Sequence, residues 1–398
     1  MKNIAILITK LNGGGAERAA ANLSIGLSNF YNVKIITFDG ENQTYSHGGE
    51  LIDLMLPPTK GKFNKIINVF KRVKAVKEIK KKYDIECSIS LMDGPNLVNV
   101  LSKYKDKVVI SIRIFMSISR RNKLFIEKLK TNFVLKKTNK VVAVAKAIEV
   151  DLITNFGADS NKLLTINNYC DFQKIKEQAA VKEIDEFEGF EEGYKYVVTA
   201  GRLTKQKGQW HLIRSFSKVL ESIPNTKLVI IGKGKYLEKL IQLSKDLGIQ
   251  DKVIFTGYVN NPHKIISKCD VFAFPSLFEG FSNALLEAMA CNIAVVSSDC
   301  DSGSREILAP ETPFDKKTDK MEIAKYGIIT PVCNGSNFNA IDQLTKQEEI
   351  LCNALTEMLV NDALREEYAN NSRERILNFS PEIITNQWRG LIEQITSK

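Results

Sequence analysis

The sequence predicts an α/β protein of two doubly wound domains, each with a parallel sheet covered by helices on both faces. Short apolar, β-branched runs alternate with stretches of helical periodicity along most of the chain, which is the pattern of βαβ units. The chain has 398 residues, a length that exceeds one ordinary hydrophobic core and favours two domains.

The first predicted domain covers residues 1–175. Its strands are expected where apolar runs are bounded by turn residues and separated by helical patterns, because such runs are typical of buried parallel strands. These runs lie at 3–9, 33–38, 87–91, 108–112, 141–145 and 163–166.

The second predicted domain covers residues 196–378 and follows an acidic stretch, 176–195, that lacks an apolar period and is expected to be a linker. Residues 379–398 are expected to form a C-terminal helix that returns to the first domain, with Trp388 as its apolar anchor. Two doubly wound domains joined in this way bind ligands in the cleft that they face, at the carboxyl ends of their strands. The second-domain strands are predicted at 196–201, 227–232, 252–257, 270–276 and 293–298.

Composition excludes several classes of protein. The chain is 44% hydrophobic and 26% charged, as ordinary soluble globular domains are. No apolar run approaches the length of a spanning helix, and the first residues enter a strand without a signal-peptide pattern. The seven cysteines are odd in number and show no C-x-x-C spacing, which predicts reduced thiols in a cytoplasm and neither a disulfide framework nor a zinc site.

Positive charge is concentrated in the first domain. Residues 1–175 contain 29 Lys and Arg against 15 Asp and Glu, a net charge of +14, and the remainder of the chain carries −4. Two basic segments, 60–82 and 120–140, have helical periodicity. The first places five apolar side chains on one helical stripe among its lysines: Phe63, Ile66, Ile67, Phe70 and Val73.

A basic amphipathic helix is typical of proteins that bind an anionic membrane surface or nucleic acid, and a solvated lysine face on a domain helix has the same pattern. Aromatic residues do not alternate with the basic ones, and no nucleic-acid-binding motif is present. We therefore rank a membrane surface above nucleic acid as the partner of this segment.

The stretch "LNGGGAERAA", residues 11–20, joins the first predicted strand to a helix. Such a turn lets backbone approach a ligand closely and directs helix N–H groups at negative charge. A dinucleotide fingerprint would require a sixth-position glycine, and counting from Gly13 that position is Arg18. A tight turn without a ligand fits the glycines equally well.

Two loops of the second domain contain residue types suited to a nucleotide sugar. In "GRLTKQKGQW", Arg202 and Lys207 surround a Gly-flanked turn into a helix, an arrangement that suits a diphosphate. In "LFEGFSNALLEAMA", Glu279 lies in a loop whose Ser282 or Asn283 can cap the helix that carries Glu287. The two carboxylates lie at opposite ends of this corner, so each suits a sugar hydroxyl better than a shared acid–base role.

The pair Glu279–x7–Glu287, with "GRLTKQKG" before it, resembles the retaining nucleotide-sugar glycosyltransferases of family 4, which have the GT-B fold of two Rossmann-like domains. The resemblance covers nearly the whole chain. "NGGGAER" is similar to the N-terminal glycine loop of the family, "INNYCD" to its inter-domain segment, and "SGSREIL" to a phrase of O-antigen and capsule enzymes.

The resemblance implies a set of donor-binding roles. Arg202 and Lys207 would hold the donor diphosphate, Glu287 the ribose hydroxyls and Glu279 the transferred sugar, so that Glu279, Arg202 and Lys207 form the catalytic group. The remaining donor contacts would be the amides of Gly280, Phe281 and Ser282 to phosphate, the backbone near Tyr258 and Val259 to the base, and Gly14 and Gly15 to the phosphates across the cleft.

The chain departs from the family on the acceptor side. Many members have a histidine there in the N-terminal domain, but His47, His211 and His263 do not follow strand 108–112. Arg113 stands in that loop and is the acceptor-side candidate. The acidic triplet 299–301, "DCD", resembles the metal-binding pair of another glycosyltransferase fold. Since this chain supplies its own cations for phosphate, no metal and no cofactor are expected.

The predicted enzyme transfers a hexose or N-acetylhexosamine, with retention, from a nucleotide-diphosphate sugar to a polyprenyl-diphosphate-linked saccharide in O-antigen or capsule synthesis. A UDP-sugar is the favoured donor, and no nucleic-acid partner is expected. The expected location is cytoplasmic, peripheral on the inner face of the cell membrane, since the basic first domain would meet acidic headgroups. The alternatives are a non-catalytic membrane-surface binding protein on the same fold and a nucleotide-sugar epimerase.

Overall fold

The computed structural model describes residues 1–41, 43–119, 124–181, 189–336 and 338–397. The chain divides into two compact units. The first unit consists of Met1–Tyr169 together with Pro381–Lys398, and the second of Cys170–Ser380.

The first unit contains a seven-stranded sheet in the order β3-β2-β1-β4-β5-β6-β7, with every paired strand parallel. The order runs outwards in both directions from β1 and β4, as in a doubly wound fold. Its strands are β1 Asn3–Ile8, β2 Asn32–Thr37, β3 Glu50–Asp53, β4 Cys87–Leu91, β5 Lys107–Ile112, β6 Lys140–Ala143 and β7 Leu163–Thr165.

Helices connect these strands. The side chains of β1 and β4 are buried on both sheet faces, because helices cover both faces, and this explains their unbroken apolar sequences. The helices are α1 Gly15–Ser28, α2 Lys62–Lys82, α3 Asp93–Leu101, α4 Met116–Ser119, α5 Leu124–Lys137 and α6 Lys146–Phe156.

The second unit contains a sheet in the order β10-β9-β8-β11-β12-β14-β13. All paired strands are parallel except β13, which is antiparallel to β14. The strands are β8 Lys195–Ala200, β9 Thr226–Ile231, β10 Val253–Gly257, β11 Val271–Phe274, β12 Ala294–Ser298, β13 Glu322–Ala324 and β14 Gly327–Thr330.

Most helices of the second unit follow its strands, and α8 and α13 pack on the same core as the sheet. These helices are α7 Phe172–Ala179, α8 Gln209–Ser222, α9 Leu237–Asp246, α10 Pro262–Ile266, α11 Asn283–Ala290, α12 Ser304–Leu308, α13 Lys346–Val360 and α14 Asp362–Leu377.

The last helix, α15 (Pro381–Thr396), lies in the first unit. Ile384, Trp388 and Leu391 are buried in one cluster with Leu23 and Leu27 of α1. The Tyr31 hydroxyl also donates a hydrogen bond to Glu393 Oε1 at 2.7 Å. The first hydrophobic core is therefore made from both ends of the chain.

The two-domain parallel α/β fold predicted from the sequence is confirmed. Three strands were not predicted: β3, which is only partly buried, and the short pair β13 and β14. The prediction that residues 176–195 form a linker was wrong at the start of that range, since residues 176–179 are the last of α7. Residues 182–188 of that segment, and 120–123 of the second basic stretch, lie outside the described residues.

Within the described part of the chain, no helix combines the length and the apolar content that crossing a bilayer requires. All seven cysteines lie in the described part of the chain, and none of them is in a disulfide bond.

Candidate functional site

The loop after β8 turns tightly into α8. Gly208 has φ 61°, in the left-handed region, and a side-chain carbon there would overlap the carbonyl oxygen of Pro275. Only glycine combines that backbone conformation with so close an approach. The loop 201–208 is thereby fixed against the loop that follows β11.

Lys207 and Glu279 meet across these two loops. Lys207 Nζ lies 2.7 Å from Glu279 Oε1, and both side chains are largely buried. The same ammonium group lies 4.9 Å from the centre of the Phe274 ring. Gln206 Nε2 donates to the Phe278 carbonyl at 3.0 Å, and the Leu277 amide donates to the Gln206 carbonyl at 2.8 Å. The two loops therefore form one braced surface, here called the second-unit edge (residues 201–208 and 275–283).

Arg202 is exposed at the start of this surface. Its carbonyl accepts a hydrogen bond from Gln209 Nε2 at 3.2 Å, so the backbone is held while the guanidinium remains accessible. One buried and one exposed cation on a single loop suit a ligand that carries two negative groups.

The second carboxylate lies one helix further on. Ser282 is the N-cap residue of α11, and its hydroxyl accepts a hydrogen bond from the Leu285 amide. The sequence predicted that either Ser282 or Asn283 would cap this helix, and Ser282 does so. Gly280 and Phe281 precede the cap, and Gly303 packs closely on both. Glu287 lies in the second turn of α11, so Glu279 and Glu287 flank the helix start as predicted.

A buried histidine lies beside Glu287. His263 Nε2 is 3.8 Å from Glu287 Oε2, and His263 Nδ1 is 3.0 Å from Gln178 Oε1. This contact could not be predicted from the sequence, because His263 belongs to a different helix, α10, and has no motif around it.

The loop after β10 presents an exposed ring. Tyr258 is 63% exposed, and Lys233 Nζ lies 5.8 Å from the centre of its ring. Gly232 and Gly234 flank Lys233, and a side chain at either would overlap backbone of Gly201 or Leu203. This glycine pair is therefore required by packing.

The acidic triplet 299–301 is engaged by cations. Arg305 Nη2 lies 2.8 Å from Asp299 Oδ2 and 3.0 Å from Glu322 Oε2, and Lys317 Nζ lies 3.0 Å from Asp301 Oδ1. The hydrogen bonds from Arg305 hold the pKa of Glu322 below its ordinary value. No cluster of metal-ligating side chains occurs in the described residues.

The predicted first-unit residues lie at the start of α1 and after β5. Gly14 is the N-cap residue of α1 and Gly15 its first helical residue. A side-chain carbon at Gly14 would overlap the carboxylate of Glu17, a residue that the sequence analysis did not single out. Arg113 donates hydrogen bonds to Asn168 and, at 3.5 Å, to the Ser111 hydroxyl.

The N-terminal half of α2 has an exposed apolar stripe. Phe63 is 75% and Phe70 69% exposed, and Ile66 and Ile67 are also exposed. Val73, predicted on the same stripe, packs instead against the core of the first unit. Arg72 is also structural, since both Nε and Nη2 donate to the Leu56 carbonyl and the guanidinium covers the Phe38 ring.

The chain is similar to known glycosyltransferases in sequence and in fold. Residues 180–326 match the family model of glycosyl transferases group 1, and this range contains the second-unit edge and both carboxylates. The chain is 35% identical over 243 residues to an uncharacterized glycosyltransferase of Methanocaldococcus jannaschii, a match that spans 60% of each chain.

A second relative matches along almost its entire length. It is the N-acetylgalactosamine-N,N'-diacetylbacillosaminyl-diphospho-undecaprenol 4-alpha-N-acetylgalactosaminyltransferase of Campylobacter jejuni, 27% identical over 395 residues, with 95% of this chain and 96% of the relative covered. Among solved structures, Anabaena HepE in complex with UDP-glucose superposes with a TM-score of 0.74 at 17% identity, covering 99% of this chain and 100% of that one. Residues 180–326 thus belong to the glycosyl transferases group 1 family, and the whole chain has the two-domain GT-B fold.

Proposed function

We propose that this glycosyltransferase moves a hexose or N-acetylhexosamine from a nucleotide-diphosphate sugar, favouring a UDP-sugar, to a polyprenyl-diphosphate-linked saccharide in surface polysaccharide synthesis. The observation that carries the proposal is the buried Lys207–Glu279 pair at 2.7 Å. It offers a cation for phosphate and a carboxylate for sugar hydroxyls within one site. The undecaprenol-linked substrate in the name of the Campylobacter relative supports the acceptor class, and the UDP-glucose bound to HepE supports the donor class.

The donor is assigned to the second-unit edge together with Glu287 of α11 and the loop after β10. Arg202 and Lys207 would bind the diphosphate, and the amides of Gly280, Phe281 and Ser282 would donate to its oxygens. Glu279 would accept a hydrogen bond from the transferred sugar and Glu287 from the ribose hydroxyls. The backbone at Tyr258 and Val259 would contact the base.

Transfer breaks the bond between the anomeric carbon and the diphosphate oxygen, and the electron pair of that bond stays on the diphosphate. The acceptor hydroxyl oxygen forms the new bond on the same face, which retains the anomeric configuration, and its proton passes to the departing phosphate oxygen. Negative charge on the leaving diphosphate grows along this path. Fixed cations at Arg202 and Lys207 would therefore stabilise the transition state more than the ground state.

The exposed apolar stripe of α2 (Phe63, Ile66, Ile67 and Phe70) is assigned to an anionic membrane surface. The exposed lysines Lys62, Lys65, Lys71, Lys74 and Lys77 surround this stripe. Apolar side chains buried at the headgroup boundary and lysines near acidic lipid are complementary to such a surface. This assignment puts the enzyme at the inner face of the membrane, where a lipid-linked acceptor would be found.

The test is turnover with defined substrates. Purified protein is screened by thermal shift against UDP-, GDP- and ADP-sugars, since a bound ligand raises stability according to its affinity. The best donor is then incubated with polyprenyl-diphosphate-linked saccharide, and both the lengthened glycolipid and the free nucleoside diphosphate are measured. Formation of the lengthened glycolipid and the free nucleoside diphosphate in equal amounts supports transfer.

Two results would contradict the proposal. Conversion of the donor to a different nucleotide sugar would indicate an epimerase, and binding without release of nucleotide would indicate a non-catalytic protein. The match to the glycosyl transferase family favours transfer over either.

A further inference from the structure

The imidazole ring of His263 is enclosed by three helices of the second unit. The side chain is 8% exposed, and each of its nitrogens faces a polar group from another helix. Nδ1 lies 3.0 Å from Gln178 Oε1 of α7, and Nε2 lies 3.8 Å from Glu287 Oε2 of α11. The ring therefore connects the carboxylate of α11 to the side-chain amide of α7.

The nitrogen that faces Glu287 lacks a hydrogen bond. Within the described part of the chain, Nε2 of His263 is buried and has no hydrogen-bond partner. Its distance from the carboxylate, 3.8 Å, is longer than a hydrogen bond. Burying a polar nitrogen without a partner is costly, so such a group in a folded protein requires an explanation. A rotation of the Glu287 side chain that brings Oε2 about 1 Å closer would supply the missing bond.

The opposite side of the ring is held in place. Asn261 Nδ2 donates to the Gln178 carbonyl at 2.6 Å, which ties the start of α10 to α7. Cys291 Sγ donates to the His263 carbonyl at 3.8 Å, which ties α10 to the end of α11. The Gln178 amide can present its oxygen or its nitrogen to Nδ1, so it suits either protonation state of the ring. Nε2 is therefore the nitrogen that is available to Glu287.

Building on the proposed donor assignment, we propose that His263 is a positioning residue for Glu287. The Nε2–H group donates to one carboxylate oxygen and leaves the other oxygen directed at the ribose hydroxyls of the donor. An acceptor that is already oriented loses less side-chain freedom when the nucleotide binds, and affinity rises accordingly. In this role His263 contacts neither the donor nor the reacting atoms, and it acts only through Glu287.

A purely structural role makes a different prediction. If the ring only filled space between α7, α10 and α11, His263→Phe would preserve ribose recognition, and any packing defect would weaken all nucleotides alike. Two amide variants separate the ring nitrogens. The amide nitrogen of His263→Gln lies near the position of Nε2, and that of His263→Asn lies near the position of Nδ1. The matched control is His47→Phe, the same change at a half-buried position of the first unit.

The experiment compares nucleotides that differ only in their ribose hydroxyls. Wild type and each variant are titrated by calorimetry with UDP, GDP and ADP and with the 2′,3′-dideoxy analogue of each. We expect wild type to bind the best nucleotide about tenfold more tightly than its dideoxy analogue, because the missing hydroxyls bond to a charged group.

His263→Phe and His263→Asn should bind that nucleotide about fivefold more weakly than wild type, since part of one hydrogen bond to a charged group is lost. Their affinity for the dideoxy analogue should not change. His263→Gln and His47→Phe should resemble wild type with both ligands. In the Glu287→Ala background, His263→Phe should alter affinity by less than about twofold, because the two side chains act as a unit.

Three outcomes would overturn the inference alone: His263→Phe keeps the ribose selectivity that Glu287→Ala removes, it weakens the nucleotide and its dideoxy analogue equally, or its effect persists in the Glu287→Ala background. Unfolding transitions show whether each weaker-binding variant is still folded. Failure of the donor assignment has a different signature. Wild type and Glu287→Ala would then bind no nucleotide, or would bind each nucleotide and its dideoxy analogue equally, which would contradict the assignment and the inference together.

Discussion

In both units a central strand enters a glycine-containing turn and then a helix: β1 leads through Gly13–Gly15 into α1, and β8 leads through Gly201–Gly208 into α8. The second-unit turn is braced by hydrogen bonds to the loop after β11, and its Lys207 ammonium group contacts the Glu279 carboxylate. In the first-unit turn the carboxylate of Glu17 folds back over Gly14 instead. The same strand–turn–helix topology thus carries a cation–carboxylate pair braced between two loops in one unit, and an acid at the helix start in the other.

The largest expected effect concerns the braced cation. Lys207→Ala, and likewise Arg202→Ala, should lower kcat/KM for transfer by about 10²–10³, as expected when one group aimed at developing charge is lost. Lys205→Ala, an exposed lysine of the same turn, is the control and should retain near wild-type activity. If Lys207→Ala kept more than about half of the activity, the diphosphate assignment would be wrong.

The second prediction tests the support beneath that surface. Helix α8 is anchored by His211 Nδ1 and Arg214 Nε, which lie 2.7 and 2.9 Å from the buried Glu348 carboxylate. Burial alone would raise the pKa of Glu348, but hydrogen bonds from these side chains outweigh it and lower the pKa to about 2.

A carboxylate with a depressed folded-state pKa stabilises the protein above its unfolded pKa, and that stability is lost as the pH falls towards the folded value. Glu348→Gln should therefore lower the free energy of unfolding by about 3 kcal/mol at pH 7. The difference from wild type should shrink between about pH 4.5 and pH 2. Chemical denaturation across this range measures it, with exposed Glu349→Gln as control. A difference independent of pH would show that the charge of Glu348 contributes nothing.

The third prediction concerns the membrane. The triple variant Lys71→Glu, Lys74→Glu and Lys77→Glu should reduce binding to phosphatidylglycerol-rich vesicles at low salt by at least roughly 10²-fold, since each lost lysine removes about 1 kcal/mol and each added carboxylate is repelled. Arg72 is left unchanged because it holds the Leu56 carbonyl. Wild type should be only partly released at about 1 M salt, since salt screens the charges and leaves the apolar contacts.

The matched control places the same charge change in the second unit, at the exposed residues Lys245, Lys320 and Lys346. This control should sediment with vesicles as wild type does. Equal losses in the two triple variants would mean that net charge, and not α2, determines attachment. Loss of activity of the α2 variant on a soluble acceptor would instead indicate that α2 belongs to the catalytic machinery.

The smallest expected change in affinity separates Glu279 of the second-unit edge from Glu287 of α11. Glu287→Ala should weaken UDP binding by about tenfold, as expected for a lost hydrogen bond to a charged group. Glu279→Gln should leave UDP affinity nearly unchanged and abolish transfer, because its proposed partner is the sugar. Calorimetry with UDP and transfer assays measure the two effects, and equal losses of UDP affinity would contradict this division.

Much of the fold could be predicted because its strands are buried on both faces, and an unbroken apolar run such as Cys87–Leu91 is visible in the sequence. Strand β3 was missed because an edge strand is partly exposed and its sequence, Glu50–Asp53, is correspondingly polar. The residues of the second-unit edge were predicted one loop at a time. The contact between these loops was not predicted, because Lys207 and Glu279 meet only when β8 and β11 become neighbours in the sheet.

Glu17 was overlooked for a related reason. In the sequence it is an ordinary acidic residue of a first helical turn, a position that acids favour for the helix dipole alone. Its burial depends on the tertiary packing around α1, which no local pattern reveals.

The position of α15 has a consequence for biosynthesis. The second unit is continuous from Cys170 to Ser380, so all of its chain has been made before α15 begins. The first unit lacks Ile384, Trp388 and Leu391 until α15 has been made, and the apolar face of α1 stays uncovered until then. Domains fold as units once their chain is available. The second unit therefore completes its core first, although the strands of the first unit's sheet are made earlier. During that interval the α1 face is a target for chaperones, and truncation before Ile384 would make its exposure permanent.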